Sequence, residues 1–495
     1  MRSRSGAAAV ATTTPPLSSF SRRSLLVRGA GAAALLGAPL SARAGTDQRL
    51  RTLAKTFRGQ IITPSSSLYN SVRVPFNADY DAVHPLAVVR PVDAADVARV
   101  VRWATQEHVH VVARSGGHSY GGWSTTTGVV VDLAHFSSTV VNGAHATIGA
   151  GARLGNIYTT LDAHGLAIPA GTCPSVGIGG HALGGGFGLA ARAWGLASDN
   201  VVSLQIVTAD GAILTADASH HSDLYWACRG GGGGNFGIVT HFVFRTHRVA
   251  AGSYFVATWP WSQVDEAVDA FLAWAPKQPD ALGSICRLAA GPGGPSVQIF
   301  GQHLGSESAL KGRLASLQPP ASQLTVAPSA WLDLVRRWAG CLGHNLPSCS
   351  APGNQPFAGA SSYLAAAPSA ALTHRFGATI AARGASSGAL LIDAYGGAVN
   401  RVASSATAFP HRNAIASVQY FAAGSDASAR AWVESARASL APAMTGEAYV
   451  NYADPQLSDY LHAYYGANLA RLVEVKRRYD PHNLFHFPQS IPLRT

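Results

Sequence analysis

Charge is scarce in this chain of 495 residues: Asp, Glu, Lys and Arg together make up 13% of it, and no acid precedes Asp47. The net charge of +11 owes six positive charges to Arg2, Arg4, Arg22, Arg23, Arg28 and Arg43, leaving about +5 for everything after residue 44. Lysines and arginines form no cluster of the kind that grips a nucleic acid, so no nucleic-acid partner is expected. No stretch is long and apolar enough to span a bilayer, which takes about 20 residues, so no membrane anchor is expected either. There are only five cysteines, and no set of Cys and His spacings reads as a zinc site; no metal site is expected. Internal repeats are absent. The length calls for two or three domains.

What is present begins with a basic leader. Ser21-Arg-Arg-Ser-Leu-Leu26 resembles a twin-arginine export signal. A mildly apolar run from Gly29 to Leu40 follows, and Ala42-Arg-Ala44 offers a small-x-small cleavage site. Residues 1–44 therefore read as a signal peptide that engages the export machinery. The alternative is an Arg- and Ser-rich transit-type leader. Export by this route moves folded proteins with cofactor already loaded, to the periplasm or beyond. Cys341 and Cys349 flank a loop-like spacer and can close a disulfide in an oxidising compartment. Cys228 and Cys286 sit in apolar contexts and read as core thiols.

Along the mature chain, strands and helices alternate. Ala87 to Val92 and Val109 to Arg114 read as strands. Between them Asp93 is a good N-cap for a helix over 94–107 with Val97, Val100, Val101 and Ala104 on one face. Further strands are expected at 129–133, 146–151, 201–208, 213–216 and 237–245, and a helix at 154–164 stopped by Gly165. From about Ser253 the texture shifts to helical stretches (264–275) alternating with strand-like ones (297–300 and 389–393). A Pro/Gly/Ser loop is expected between about 340 and 359. Beyond Tyr449, Asp454-Pro leads into a helix expected to run through Tyr479, which Asp480-Pro-His-Asn-Leu-Phe485 then breaks. The pattern is α+β.

Two segments carry the chemistry. Arg114-Ser-Gly-Gly-His-Ser-Tyr120 and Gly171-Thr-Cys-Pro-Ser-Val-Gly-Ile-Gly-Gly-His181 each set one nucleophilic side chain, His118 or Cys173, inside a Gly-rich loop. Glycine lets backbone approach a large flat or phosphorylated ligand. A nucleophile in such a loop suggests that the ligand is held covalently. The two loops resemble the attachment sites of berberine bridge enzyme-like flavoproteins, within the wider vanillyl-alcohol-oxidase (PCMH-type) FAD-binding family. The likeness covers roughly residues 70–250 and 375–495.

That resemblance implies FAD bound twice, through His118 to the 8α-methyl and Cys173 to C6. It implies a two-subdomain FAD-binding domain over 45–250, a substrate domain over 251–445 made of an antiparallel sheet backed by helices, and a C-terminal segment, 446–495, that returns to complete the FAD domain. The implied cofactor contacts are Arg114, Ser115, Gly116, Gly117, Ser119, Val176, Gly177, Gly180, His181, Gly184, Gly186, Gly188, Gly237, Ile238, Val239, Asn451, Asn483 and Phe485. His181 matches a histidine that hydrogen-bonds the flavin and supports its reduced anion. Val176 matches the position facing the oxygen-reactive side, where valine goes with oxidases and leucine with dehydrogenases. Tyr449-Val-Asn-Tyr-Ala-Asp454 matches the family's Tyr-x-Asn-Tyr-x-Asp, making Tyr452 the base. A free tyrosine has a pKa of about 10 and needs help near neutrality. Asp393, in Leu391-Ile-Asp-Ala-Tyr-Gly-Gly397, resembles the active-site acid that would take its proton.

Two literal motifs point elsewhere and fail on context. Gly232-Gly-Gly-Asn-Phe-Gly237 is a G-x-G-x-x-G, but a strand follows it where a dinucleotide fold needs a helix. Gly117-His-Ser-Tyr-Gly121 is a G-x-S-x-G, but Gly122 to Gly128 cannot start the helix of a hydrolase elbow. The expectation is a secreted oxidase of alcohols, with sugars, oligosaccharides or glycosylated natural products as leading substrates and O₂ as acceptor, giving H₂O₂. A flavin dehydrogenase that excludes O₂ is one alternative. A secreted carbohydrate- or flavin-binding protein without turnover is the other.

Overall fold

The structure, a computed structural model, describes residues 48–249, 251–349, 354–424 and 427–494. The leader and its cleavage site lie outside the described residues. Two sheets make up the first part. Strands β1 (Gln60–Ile62), β2 (Ala87–Arg90), β3 (Val111–Arg114) and β4 (Val129–Asp132) pair in the order β1-β2-β4-β3. The pairs β2–β4 and β4–β3 are parallel. Their uninterrupted valines are buried on both faces, as a parallel sheet covered on both sides requires. Helix α1 (Ala94–Gln106) makes the crossover. The Asp93 side chain caps it by accepting the Asp96 N–H at 2.9 Å.

The second sheet uses β5 (Thr139–Asn142), β6 (His145–Gly149), β8 (Val201–Val207), β9 (Ile213–Asp217) and β10 (Ile238–Arg245), in the order β5-β6-β10-β8-β9, antiparallel throughout. The short strands β7 (Leu166–Ala167) and β11 (His247–Arg248) pair beside it. Helix α2 (Leu154–Asp162) follows β6 and precedes the Cys173 loop. Cys228 is buried in this core, as its apolar context suggested.

The third sheet has seven antiparallel strands: β12 (Gly252–Trp259), β13 (Leu282–Ala290), β14 (Ser296–His303), β15 (Gln323–Ser329), β16 (Phe357–Leu364), β17 (Gly388–Ala394) and β18 (Ala416–Ala423). Their order is β15-β12-β14-β13-β17-β18-β16. Helices α3 (Val264–Trp274), α4 (Ala370–Ala381) and α5 (Ala427–Leu440) cover one face. Cys286, Leu288, Leu390, Ile392, Val418 and Tyr420 pack against them. Side chains alternate along a strand, so Ile285, Leu391, Asp393, Gln419 and Phe421 point to the opposite face, where they wall the cavity described below.

The C-terminal region departs from its expected single helix. Helix α6 (Tyr460–Tyr465) ends at Gly466, whose φ of +48° with ψ of −130° is a non-helical conformation that glycine adopts without a Cβ clash. Helix α7 (Leu469–Tyr479) starts afresh beyond it. Before α6, Asp454 turns the chain by accepting the Gln456 N–H on its side chain. The segment packs into the core of the first two sheets through Leu472, Val473, Phe485 and Ile491. Lys476, wholly buried, donates to Asp480 at 2.6 Å and to the carbonyls of Asn235 at 2.9 Å and Phe485 at 2.5 Å. The Asn235 side chain in turn accepts the Ile491 N–H. These bonds lock the tail onto the glycine run that ends at Gly237. Cys341 and Cys349 form a disulfide with their Cα atoms 6.0 Å apart.

Candidate active site

A cavity of about 500 Å³ is walled by all three sheets and by the C-terminal segment. The His118 and Cys173 loops converge on it by direct backbone contact. A Cβ added to Gly116 would lie 2.2 Å from the Gly177 nitrogen, and one added to Gly177 would lie 2.0 Å from Ser115 Oγ. Glycine at both positions is what lets residues 55 apart in sequence share one wall. Ser175 sits between the two nucleophiles, its Oγ 3.0 Å from His118 Nε2 and 3.4 Å from Cys173 Sγ. The His118 ring stacks on Phe76 at 3.7 Å between centroids. Burial pushes its pKa down to about 3, so near neutrality the ring is uncharged and keeps a lone pair for bond formation. Burial likewise holds His181 down, at about 4. The Gly171 N–H donates to its Nε2 at 3.0 Å, which leaves Nδ1–H as the donor of that ring.

Most of the residues singled out from sequence meet here. Ser115, Gly116, Gly117, His118, Ser119, Cys173, Val176, Gly177, Gly180, His181, Gly188, Gly237, Val239, Asp393, Asn451 and Tyr452 all line the cavity. Arg114, Gly184, Gly186, Ile238, Asn483 and Phe485 stand behind the wall instead. The Arg114 guanidinium is spent on the carbonyls of Val72, Arg73 and Ser124. Gly184 leaves room for the Asn451 side chain, since a Cβ there would lie 2.1 Å from Asn451 Oδ1. Gly186 donates its N–H to Tyr449. Ile238 alternates with Val239 along β10 and turns into the core. Phe485 is core, and Asn483 forms the turn after Asp480.

On the substrate side, Tyr452 stacks on Tyr120 with centroids 5.3 Å apart, and Gln419 donates to the Tyr120 hydroxyl at 2.6 Å. Burial raises the pKa of Tyr452 well above its ordinary value, with Tyr120 and Asp393 adding to the effect. A tyrosine so placed stays protonated near neutrality. Burial also pushes the Asp393 carboxyl up to about 7. Asp393 faces the same cavity, and no hydrogen bond joins it directly to Tyr452. The neighbouring Tyr449 is committed elsewhere. Its hydroxyl oxygen accepts from the N–H groups of Gly186 at 2.8 Å and Phe187 at 3.2 Å and from Asn451 at 2.9 Å. Asn451 also donates to the His181 carbonyl. Tyr449 and Asn451 thus brace the glycine segment from outside.

Ser175, Phe76, Tyr120 and Gln419 were not picked out from sequence. Tyr120 lies two residues past His118, a signal that was there to read. Gln419 comes from another domain and belongs to no motif.

The cavity suits FAD. Its floor is bare backbone at the glycines 116–117, 177, 179–180 and 232–234, where side chains are absent from a wall long enough for a flat, phosphorylated ligand. A Cβ at Gly180 would meet nothing within 4 Å and would intrude on that space. Comparison with known proteins agrees. Residues 85–217 match an FAD binding domain family, and residues 448–492 match the family described as berberine and berberine like. The uncharacterized FAD-linked oxidoreductase YgaK of Bacillus subtilis is 34% identical over 453 residues, covering 88% of this chain and 97% of that protein. The chitooligosaccharide oxidase of Gibberella zeae is 32% identical over 450 residues, 86% of this chain and 89% of its own. Among solved structures, Physcomitrella patens BBE-like 1 superposes with a TM-score of 0.84 at 32% identity, covering 90% of this chain and 99% of that one. With glycine loops, nucleophiles and C-terminal tail arranged in this way, the chain belongs to the berberine bridge enzyme-like family of FAD-linked oxidoreductases.

Proposed function

We propose that this protein oxidises a sugar alcohol, as part of an oligosaccharide or a glycosylated small molecule, with FAD held through both His118 and Cys173 and with O₂ as the final acceptor. The observation that carries the reading is one cavity with two roles: nucleophiles on one wall, and Tyr452 with Asp393 on another. FAD, when bound, accepts two electrons from a substrate C–H and passes them to oxygen, giving H₂O₂. The chain supplies the rest. His118 and Cys173 anchor the ring, and His181 offers one N–H to it. Tyr452 takes the substrate hydroxyl proton as the C–H bond breaks. Asp393 receives a proton once ionised. Gln419 and the stacked Tyr120 orient Tyr452. Aromatic faces (Tyr120, Tyr452, Phe421) beside amide groups suit a sugar ring, and the similarity to a chitooligosaccharide oxidase supports the same class. The short Val176 side chain keeps space for oxygen. Ser21 to Leu26 supports twin-arginine export and a place outside the cytoplasm.

Anaerobic mixing of the purified protein with a panel of oligosaccharides tests the reading: the flavin band should bleach, and admitting air should restore it with one H₂O₂ per cycle. Bleaching without peroxide would make the protein a dehydrogenase, and no bleaching by any sugar would end the carbohydrate assignment. Acid-precipitated protein should stay yellow. It should do so in His118→Ala and in Cys173→Ala, and lose its colour only in the double variant.

A further inference from the structure

Among the described residues, Arg287 is a cation without a partner, on a strand that walls the cavity. Its neighbours on β13, Cys286 and Leu288, are fully buried against the helices. Alternation along the strand therefore turns Arg287 to the opposite face, together with Ile285, which lines the cavity. Across the sheet, Ile285 pairs with Asp393 and Arg287 with Leu391, and beyond Leu391 lies Gln419. Asp393, Leu391 and Ala389 all line the cavity, so the wall continues along β17 through and past the row that Arg287 shares. Leu391 is two residues from Asp393, about 7 Å along the strand. Arg287 itself falls outside the cavity lining; directly opposed Cβ atoms lie about 5 Å apart, so its stem runs beside Leu391 at the cavity's edge.

The groups facing Arg287 are Gln298 on β14, Leu391 and Asp393 on β17, and Gln419 on β18. It bonds to none of them. No ion pair or hydrogen bond joins its guanidinium to a described residue, and its Nε is buried without an acceptor. Burial lowers its pKa. Arginine stays charged under all ordinary conditions, and a partly buried charge without a counter-charge is costly unless a ligand supplies one.

We propose that Arg287 is the anion subsite of this cavity, and that the substrate carries a carboxylate on the unit next to the one oxidised, as a uronate-containing saccharide does. This rests on the saccharide reading above and sharpens it. A carboxylate meets the planar fork of arginine with two parallel hydrogen bonds, which neutral hydroxyls cannot reproduce. Its single charge balances the single cation. Asp393, one row away and ready to hold a proton up to about pH 7, tolerates that anion best below neutrality.

The test uses the holoprotein and two disaccharides of the same linkage: cellobiose, and glucuronosyl-β-1,4-glucose, which differs by a carboxylate on the outer ring. Stopped-flow flavin reduction under anaerobic conditions gives Kd and limiting rate separately. The acidic sugar should bind about 10–100-fold tighter, the range of a charge-assisted pair, with a similar limiting rate. Arg287→Gln should bring the ratio of the two Kd values to within about twofold of one, and Arg287→Lys should keep part of the preference. Equal Kd values in the wild type, or a preference that survives Arg287→Gln, overturns the proposal. Should neither sugar reduce the flavin, the oxidase reading fails separately. Titration with glucuronate then still reports the subsite through the flavin absorbance: a shift in wild type that Arg287→Gln abolishes supports it, and no shift in wild type overturns it.

Discussion

Asp393→Asn should make the protein more stable and the enzyme worse, and the stability gain should depend on pH. The carboxyl is 7% exposed, and burial raises its pKa to about 7 from 3.8. The folded state therefore holds this proton more tightly than the unfolded chain does. Stability contributed by Asp393 is fully present below about pH 4 and is lost as pH rises to about 7. The total loss is about 4 kcal/mol, at 1.36 kcal/mol per pKa unit. Asparagine keeps the shape and never ionises, so it escapes the loss. Between pH 5 and pH 8 the advantage of Asn over Asp should widen by about 2.5–3 kcal/mol. Urea denaturation of both proteins, followed by tryptophan fluorescence at the two pH values, measures it. In parallel, the rate of anaerobic flavin reduction should rise through about pH 7 in the wild type and lose that inflection in Asp393→Asn. A stability gap that is the same at pH 5 and pH 8 would refute the reasoning, because it would mean the carboxyl keeps its ordinary pKa in the fold.

Other outcomes follow from the same geometry. Tyr452→Phe deletes one hydroxyl and keeps the ring stacked on Tyr120; it should slow flavin reduction by about 10²–10⁴-fold in stopped flow while leaving covalent flavin in place. Val176→Leu should slow reoxidation by O₂ more than reduction by substrate, whereas equal losses in the two half-reactions would mark a packing defect. Lys476→Met strands the buried Asp480 carboxylate without its cation and should cost about 3–5 kcal/mol in chemical denaturation, with the C-terminal segment the first to gain protease sensitivity.

Much of the fold was legible because it is written locally. Ala87-Val-Val89 and Val129-Val-Val131 announce strands, Asp93 announces a helix start, and Val297-Gln-Ile-Phe300 and Ala389-Leu-Leu-Ile-Asp393 announce two of the seven strands of the third sheet. The C-terminal helix was misjudged at Gly466 because a lone glycine in an apolar helical pattern signals a stop only when the backbone takes a positive, non-helical φ there, which is a tertiary matter. The site splits in the same way. His118 and Cys173 stand in contiguous Gly-rich motifs, and Tyr452 in a contiguous segment that resembles the family's Tyr-x-Asn-Tyr-x-Asp, so all three could be singled out as candidates. Arg114, Gly184, Gly186, Ile238, Asn483 and Phe485 share those motifs yet stand one layer back, since a motif records what a loop needs for its shape as well as what touches the ligand.

Sequence alone determined the class of cofactor site and, through the family resemblance, singled out His118, Cys173 and Tyr452 as candidates, because each stands in a motif of residues within a few positions of one another. Only the tertiary structure decided that Ser175 bridges the nucleophiles, that Tyr449 is a brace, that Gln419 holds Tyr120 from another domain, and that Arg287, opposite Leu391, has no partner among the described residues. Those relations join strands and loops tens to hundreds of residues apart, and pairing across a sheet depends on register and burial, which no local pattern encodes.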